Sequence, residues 1–312
     1  MPKLSHSKTT VGSLLRQVAR RLQRAQLYFG HGTDNATDEA ATLIWHALGL
    51  DWQAPANIYS RAVSVAGQAR VLGLVQQRIS QRVPAVYLTG TTWFAGLPMR
   101  TDARALVPRS PLAELIETQF APWIAVQDAR RVLDLCTGSG CIAIACAKYL
   151  PHATVDATDI SGPALQLARE NVALHRLRGR VRCLKSDYFS ALKGRRYDII
   201  VSNPPYVSAR EMKSLPAEYR HEPSLALAAG RDGLDAVRAI LRVAAAHLNP
   251  GGILVVEVGN SESAVRRRFG QLPFTWLAFE HGGDGVFLLT AAQLVRYAPA
   301  IAAELGHKAD VG

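Results

Sequence analysis

From residue 131 onward, short apolar runs alternate with segments of helical length, and no other feature restricts the fold so tightly. The runs 131–136, 154–160, 181–187, 197–203, 252–259, 275–280 and 285–290 have strand length. Between them, 141–150, 162–175, 232–248 and 261–269 have helical patterning. Strands as continuously apolar as Ile253-Leu254-Val255-Val256 must be covered on both faces. The pattern therefore predicts an α/β fold, a mostly parallel sheet between two helical layers. In such sheets a ligand lies beyond the carboxyl ends of the strands. The residues at which each strand stops are the first candidates for chemistry.

The first of these strands, Arg131 to Cys136, runs into Thr137-Gly138-Ser139-Gly140 and then a helix. Gly138 and Gly140 let the backbone pass close to a ligand, and the next helix presents free N–H groups. The dinucleotide fingerprint asks for a third glycine, but Cys141-Ile142-Ala143 follows here, so the turn alone is a weak signal. Three acids strengthen it: Asp134 before the turn, Asp159 ending the second strand, and Asp187 with Tyr188 ending the third. The set resembles the S-adenosylmethionine-dependent class I methyltransferases (Rossmann-like). The resemblance implies that Gly138, Ser139 and Gly140 pack beside the amino-acid part of S-adenosylmethionine. It also implies that Asp159 binds the ribose hydroxyls and that Asp187 and Tyr188 hold adenine. A ribose diol and an exocyclic amine are donors, and carboxylates are suitable acceptors. Asp134 would stand near the positive sulfonium and ammonium groups. Cys136 departs from the class, occupying the place where its first glycine often stands.

The fourth strand is stopped by Ser202-Asn203-Pro204-Pro205-Tyr206. Two prolines remove two backbone donors and fix two φ angles, so nothing regular continues. Asn-Pro-Pro-Tyr resembles the motif of methyltransferases whose acceptor is a planar nitrogen, either a nucleobase amino group or a glutamine amide. Such a nitrogen is a poor nucleophile because its lone pair is delocalised. The resemblance implies that the Asn203 side-chain oxygen and the Pro204 carbonyl accept its two hydrogens, with Asn203 also bordering the cofactor. Pro205 would keep the corner rigid and the Tyr206 ring would cover the flat face of the amide. Catalysis would be orientation and in-line approach, with no metal, strong base or covalent nucleophile.

Flanking segments narrow the substrate. Glu222-Pro223-Ser224-Leu225-Ala226-Leu227, Gly230-Arg231-Asp232-Gly233-Leu234, Pro84 to Gly90 with Trp93-Phe94, and Leu106-Val107-Pro108-Arg109 resemble the protein-glutamine methyltransferases, across nearly the whole chain. The release-factor branch usually has an acid after Pro-Arg-Pro, whereas this chain reads Val107-Pro108-Arg109-Ser110-Pro111. Gly30-His31-Gly32-Thr33-Asp34-Asn35, Tyr219 to Pro223 and Gly282 to Phe287 are similar to the branch that acts on large-subunit ribosomal protein L-three. The implied activity is methyl transfer to a glutamine side-chain amide nitrogen of that protein, leaving S-adenosylhomocysteine. Release-factor methylation is the alternative within the family. A nucleic-acid adenine-N6 methyltransferase is disfavoured, because no added module clusters aromatic and basic residues for a flipped base. A cofactor-binding assembly factor without turnover is the remaining rival, against which the intact Asn203 to Tyr206 motif argues.

Ahead of the sheet the chain reads as helical from 11 to about 83. Val11, Leu14, Leu15, Val18 and Leu22 follow helical spacing, Thr37 is expected as an N-cap ahead of Asp38 and Glu39, and a further helix runs from Val65 to Arg82. Val86-Tyr87-Leu88, Trp93-Phe94 and Met99-Arg100-Thr101 are β-prone around turn residues. The expected division is a helical substrate-recognition domain at 1–85, a β-hairpin linker at 86–107 and the methyltransferase domain at 108–312. Net charge is +11, which suits ribosomal RNA nearby or merely a solvated surface. The first 33 residues hold Lys3, Lys8, Arg16, Arg20, Arg21 and Arg24 and no acid, a transit-peptide composition that the helical spacing argues against. No apolar run approaches the ~18 residues of a membrane span, so no membrane partner is expected. Cys136, Cys141, Cys146 and Cys183 form no Cys-x-x-Cys pair and suit reduced thiols in a cytoplasmic protein. His31 and His221 read as packing or turn residues. Glu257 and Asn260 either face the substrate or shape a helix entry.

Overall fold

The computed structural model describes residues 8–306, so Lys3 lies outside the described residues. The chain forms two compact units, Met1–Thr92 with Pro216–His221, and Trp93–Leu215 with Glu222–Gly312.

The first unit is built on α1 (Val11–Arg24), α2 (Ala36–Leu48), α3 (Val65–Gln81) and the short α4 (Ala85–Thr89). Val11, Leu14, Val18 and Leu22 put one stripe of α1 into a core shared with Leu43, Ile44, Val71 and Val75. The cap of α2 is Asn35 rather than the expected Thr37. Asn35 has the extended backbone a cap requires, and its side-chain oxygen accepts from the Thr37 and Asp38 N–H groups at 2.9 and 3.0 Å. Val86-Tyr87-Leu88 lies in α4, not in a strand. Pro84 precedes this single turn and Gly90, left-handed at φ +69, ends it, so the end signals override the β-propensity of its interior.

Residues 216–221 supply a carboxylate to this unit. Arg78 of α3 is 1% exposed and donates from Nε to Glu39 at 2.6 Å and from a terminal nitrogen to Glu218 at 3.2 Å. Its other terminal nitrogen donates to the Tyr28 carbonyl at 2.8 Å. Glu218 also accepts from the Tyr28 N–H and from Arg82. His31 packs edge-on to the Tyr219 ring at 4.6 Å, and a His221 ring nitrogen lies 2.8 Å from the Gln81 carbonyl, so both histidines serve packing and turns.

The hairpin is β1 (Thr91–Phe94) and β2 (Leu97–Arg100). Its two turn residues, Ala95 and Gly96, are both left-handed, the turn that matches strand twist.

The second unit runs through α5 (Leu112–Glu117), β3 (Arg131–Leu135), α6 (Cys141–Tyr149), β4 (Thr154–Asp159), α7 (Gly162–Leu174), β5 (Val181–Lys185) and β6 (Tyr197–Ser202). It continues with α8 (Asp235–Val243), β7 (Leu248–Glu257), α9 (Glu262–Arg268), β8 (Thr275–Leu277), β9 (Val286–Thr290), α10 (Ala291–Arg296) and α11 (Ala298–Gly306). Strand order is β5-β4-β3-β6-β7-β9-β8, parallel except that β9 runs against both of its neighbours. Val132 and Ile199 point into one apolar layer with Ile142 and Ile144 of α6, while Leu133 and Ile200 point into the other with Val237 and Ile240 of α8. Covering both faces is what the unbroken apolar strands require. β7 starts at Leu248, four residues before the expected 252, because Leu248 pairs with Tyr197 across a register shift. Between β3 and β6 the strand order reverses, which opens a crevice over their carboxyl ends.

Candidate active site

The crevice is a cavity into which the ends of β3, β4 and β6 open, together with the loop after β5. Its wall includes Gly138, Ser139, Asp159, Asp187, Tyr188, Asn203 and Pro205, brought together from positions up to 67 residues apart. Asp134, Gly140, Pro204 and Tyr206 are not among the residues that line it.

The glycine turn is shaped by left-handed backbone. Gly138 has φ +54 and Gly140 φ +82, and a Cβ on Gly140 would sit 3.1 Å from the Ala168 methyl of α7. Cys136 also takes φ +59, so it keeps a glycine-like backbone where the class often has glycine. For a residue with a Cβ that conformation costs about 1–2 kcal/mol.

Asp134 is fully buried beneath the turn. One carboxylate oxygen accepts from the Thr137 hydroxyl at 2.5 Å and from the Ala143 N–H at 3.0 Å. The other oxygen has no partner among the described residues. Burial pushes this carboxyl up to about 7. Asp159 accepts from the Gly138 N–H at 2.9 Å and the Ser161 N–H at 2.8 Å, yet burial still raises its carboxyl above the ordinary value. The Ser139 hydroxyl is likewise buried and unpartnered among the described residues. An unsatisfied carboxylate oxygen and hydroxyl beside two open-backbone glycines fit the polar, positively charged end of S-adenosylmethionine.

At the end of β6 the Asn203 side chain makes no hydrogen bond among the described residues and faces the cavity, while Pro204 is buried. Tyr206 is fixed from three sides. Its carbonyl accepts from the Ser261 hydroxyl at 2.7 Å, and its hydroxyl donates to Glu257 at 3.3 Å. Its ring lies so close to Gly259 that a Cβ there would come within 2.7 Å. The next residue, Val207, is bonded on both sides to the 227–229 segment.

Two features escaped the sequence reading of the site. Arg109 grips Glu222 with two parallel bonds of 2.7 Å, and Glu222 also accepts from the Val107 N–H. Val107 and Arg109 share the cavity wall with Pro223, so this pair fixes a part of the rim that no strand end supplies. The two segments stood out in the sequence, but nothing in them indicated that they pair. The second feature is Glu257, at the end of β7 and 5% exposed, which accepts from the cavity-lining Ser110 at 2.5 Å as well as from Tyr206. Neither of its expected roles, facing the substrate or shaping a helix entry, had named this partnership. Asn260 is exposed.

Burial pushes the Glu257 carboxyl from 4.5 up to about 7. A carboxyl raised in this way contributes stability fully below its unfolded value, and the contribution is lost as pH rises to the folded value. Glu257→Gln keeps an uncharged hydrogen-bonding group of the same shape. It is expected to flatten the decline in stability between pH 5 and 7 by roughly 2–3 kcal/mol. Urea denaturation of both proteins at pH 5 and 7.5 checks this, and parallel pH profiles would refute it.

The sequence profile of the methyltransferase small domain matches residues 117–218. The chain is 49% identical to the ribosomal protein uL3 glutamine methyltransferase of Xylella fastidiosa strain 9a5c, over 97% of this chain and 96% of that one. Identity to the protein of that name from Xanthomonas campestris pv. campestris is 50%, over 94% of each chain. The Francisella tularensis protein of the same name is 42% identical over 92% of each.

Proposed function

The chain belongs to the family of ribosomal protein uL3 glutamine methyltransferases, and from that membership we propose that it methylates the side-chain amide nitrogen of a glutamine in ribosomal protein uL3, the L-three of the large subunit. The observation that carries the reading is the shared cavity, whose wall holds Gly138, Ser139, Asp159, Asp187 and Tyr188 together with Asn203 and Pro205. S-adenosylmethionine, when bound, supplies the methyl group from its sulfonium. Gly138 to Gly140 would lie along its amino-acid part, Asp159 at the ribose hydroxyls, and Asp187 with Tyr188 at adenine. Asp134 acts from beneath, ordering the turn through Thr137 and Ala143 and attracting positive charge. The Asn203 oxygen and the Pro204 carbonyl accept the two amide hydrogens and turn the lone pair toward the methyl donor. Tyr206, held by Glu257, Ser261 and Gly259, covers the amide face. Among the described residues no helix is long and apolar enough to cross a membrane, and the work of modifying a ribosomal protein belongs in the cytoplasm.

A competition assay tests the substrate. The enzyme and methyl-labelled S-adenosylmethionine are incubated with unmethylated uL3, a release factor and ribosomal RNA together, and the label is located by mass spectrometry. Label on a uL3 glutamine is the expected result. Label on the release factor keeps the chemistry and overturns the substrate, and label on RNA overturns both.

A further inference from the structure

The solvent face of α1 carries Arg16, Arg20 and Arg24, each four residues from the next, with Arg21 beside them. All four are exposed, and Arg20, Arg21 and Arg24 bound a shallow groove with Gln17. Among the described residues none has a carboxylate within ion-pairing distance. Arg78, Arg104, Arg109 and Arg238, by contrast, each face one or more acids. Like charges four apart on a helix destabilise it by about 0.2–0.5 kcal/mol per pair. Arg20 donates to the Arg16 carbonyl at 3.1 Å and Arg21 to the Gln76 side chain at 2.6 Å, but among the described residues no acid offsets the repulsion within the stripe.

We propose that this face of α1 is a docking surface for the phosphate backbone of RNA. Successive arginines of the stripe rise about 6 Å along the helix, each offering a planar set of donors suited to phosphate oxygens. A membrane surface is the competing anionic partner, but it also needs an apolar face to insert. The apolar face of α1 is already used: Val11, Leu14, Val18 and Leu22 are fully or almost fully buried in the core of their own unit. RNA is the polyanion that the reading above puts beside a ribosomal protein, and the choice of partner rests on that reading. The net charge of +11 suits the same polyanionic partner.

The test needs neither cofactor nor protein substrate, so its failure leaves the methyl-transfer reading intact. Binding of a fluorescent single-stranded RNA is followed by anisotropy over a salt series, for the wild type and for Arg16→Gln/Arg20→Gln/Arg24→Gln. Three lost phosphate contacts are expected to reduce the slope of log affinity against log salt by about 2, with binding at least about tenfold weaker near 0.1 M salt. Glutamine is nearly as good a helix former as arginine, so the variant should fold, with an unchanged or slightly raised melting temperature. A control pair on the other unit, Arg131→Gln/Arg178→Gln, should retain the wild-type slope. The proposal is overturned by an unchanged slope in the stripe variant, by loss of binding in the control pair alone, or by a wild type that binds anionic phosphatidylserine vesicles but not RNA. A stripe variant that melts well below the wild type would also overturn it, because the arginines would then serve the fold.

Discussion

Asn203→Ala is expected to lower kcat for methyl transfer by roughly 10²–10³-fold, the loss typical of removing one preorganised hydrogen-bonding group from a reaction centre. Affinity for S-adenosylmethionine should stay within a few-fold. Both parts follow from position. Asn203 lies just after β6 on the cavity wall, with a side chain that bonds to nothing among the described residues. Removing it therefore breaks no internal contact, and what is lost is lost to the ligand. Asp159, Asp187 and the glycine turn, proposed to hold most of the cofactor, are unaltered. Asn203→Asp separates acceptance from donation. It keeps an acceptor oxygen in the same place, so it should retain much more activity than the alanine variant if the role is to accept amide hydrogens. Single-turnover rates and calorimetric cofactor binding measure the two quantities. Undiminished transfer by the alanine variant would remove Asn203 from the mechanism.

Arg78→Met should cost roughly 3–5 kcal/mol of stability, the usual effect of leaving buried charges without their partner. Methionine approximates the arginine stem, so little packing is lost and the effect is electrostatic. Glu39 and Glu218, 2% and 1% exposed, would face each other without the cation between them, and Arg82 could serve only Glu218. Adding Glu39→Gln to Arg78→Met should recover part of the loss, because one stranded charge is then gone. Equilibrium unfolding in urea gives both values. A change below about 1 kcal/mol in the single variant, the size typical of an exposed pair, would show that Arg78 contributes little.

The regular part of the fold was legible because its signals are local. An apolar run of strand length can be buried in few ways, and β3, β4, β5, β6 and β9 lie within about two residues of their expected bounds. The grouping of Gly138, Ser139, Asp159, Asp187, Tyr188, Asn203 and Pro205 around one cavity was legible for the same reason, since in a sheet of this kind ligands lie where the strands stop. The errors and gaps arose where the deciding partner is remote or the end signal outweighs the interior. Val86-Tyr87-Leu88 has strand propensity, but Pro84 and Gly90 make it one turn of helix. Thr37 and Asn35 are both good caps, and only the backbone angles choose between them. Arg78 and Glu218 are 140 residues apart and Arg109 and Glu222 are 113 apart, and no periodicity connects such pairs. Glu257 meets Tyr206 across 51 residues, so its part in fixing the Asn-Pro-Pro-Tyr corner appears only in three dimensions.

The six residues 216–221 complete a helical unit whose other residues all precede position 93. A fragment ending at Thr92 would keep Arg78 and Arg82 but lack the carboxylate of Glu218 that both of them use. The N-terminal unit is therefore not a portable cassette. Exchanging it at a single junction after Thr92 would leave Arg78 and Arg82 without Glu218, unless the stretch 216–221 were carried along. If the helical unit recognises the substrate, as the sequence leads one to expect, six of its residues lie within the stretch of chain that also builds the methyltransferase unit.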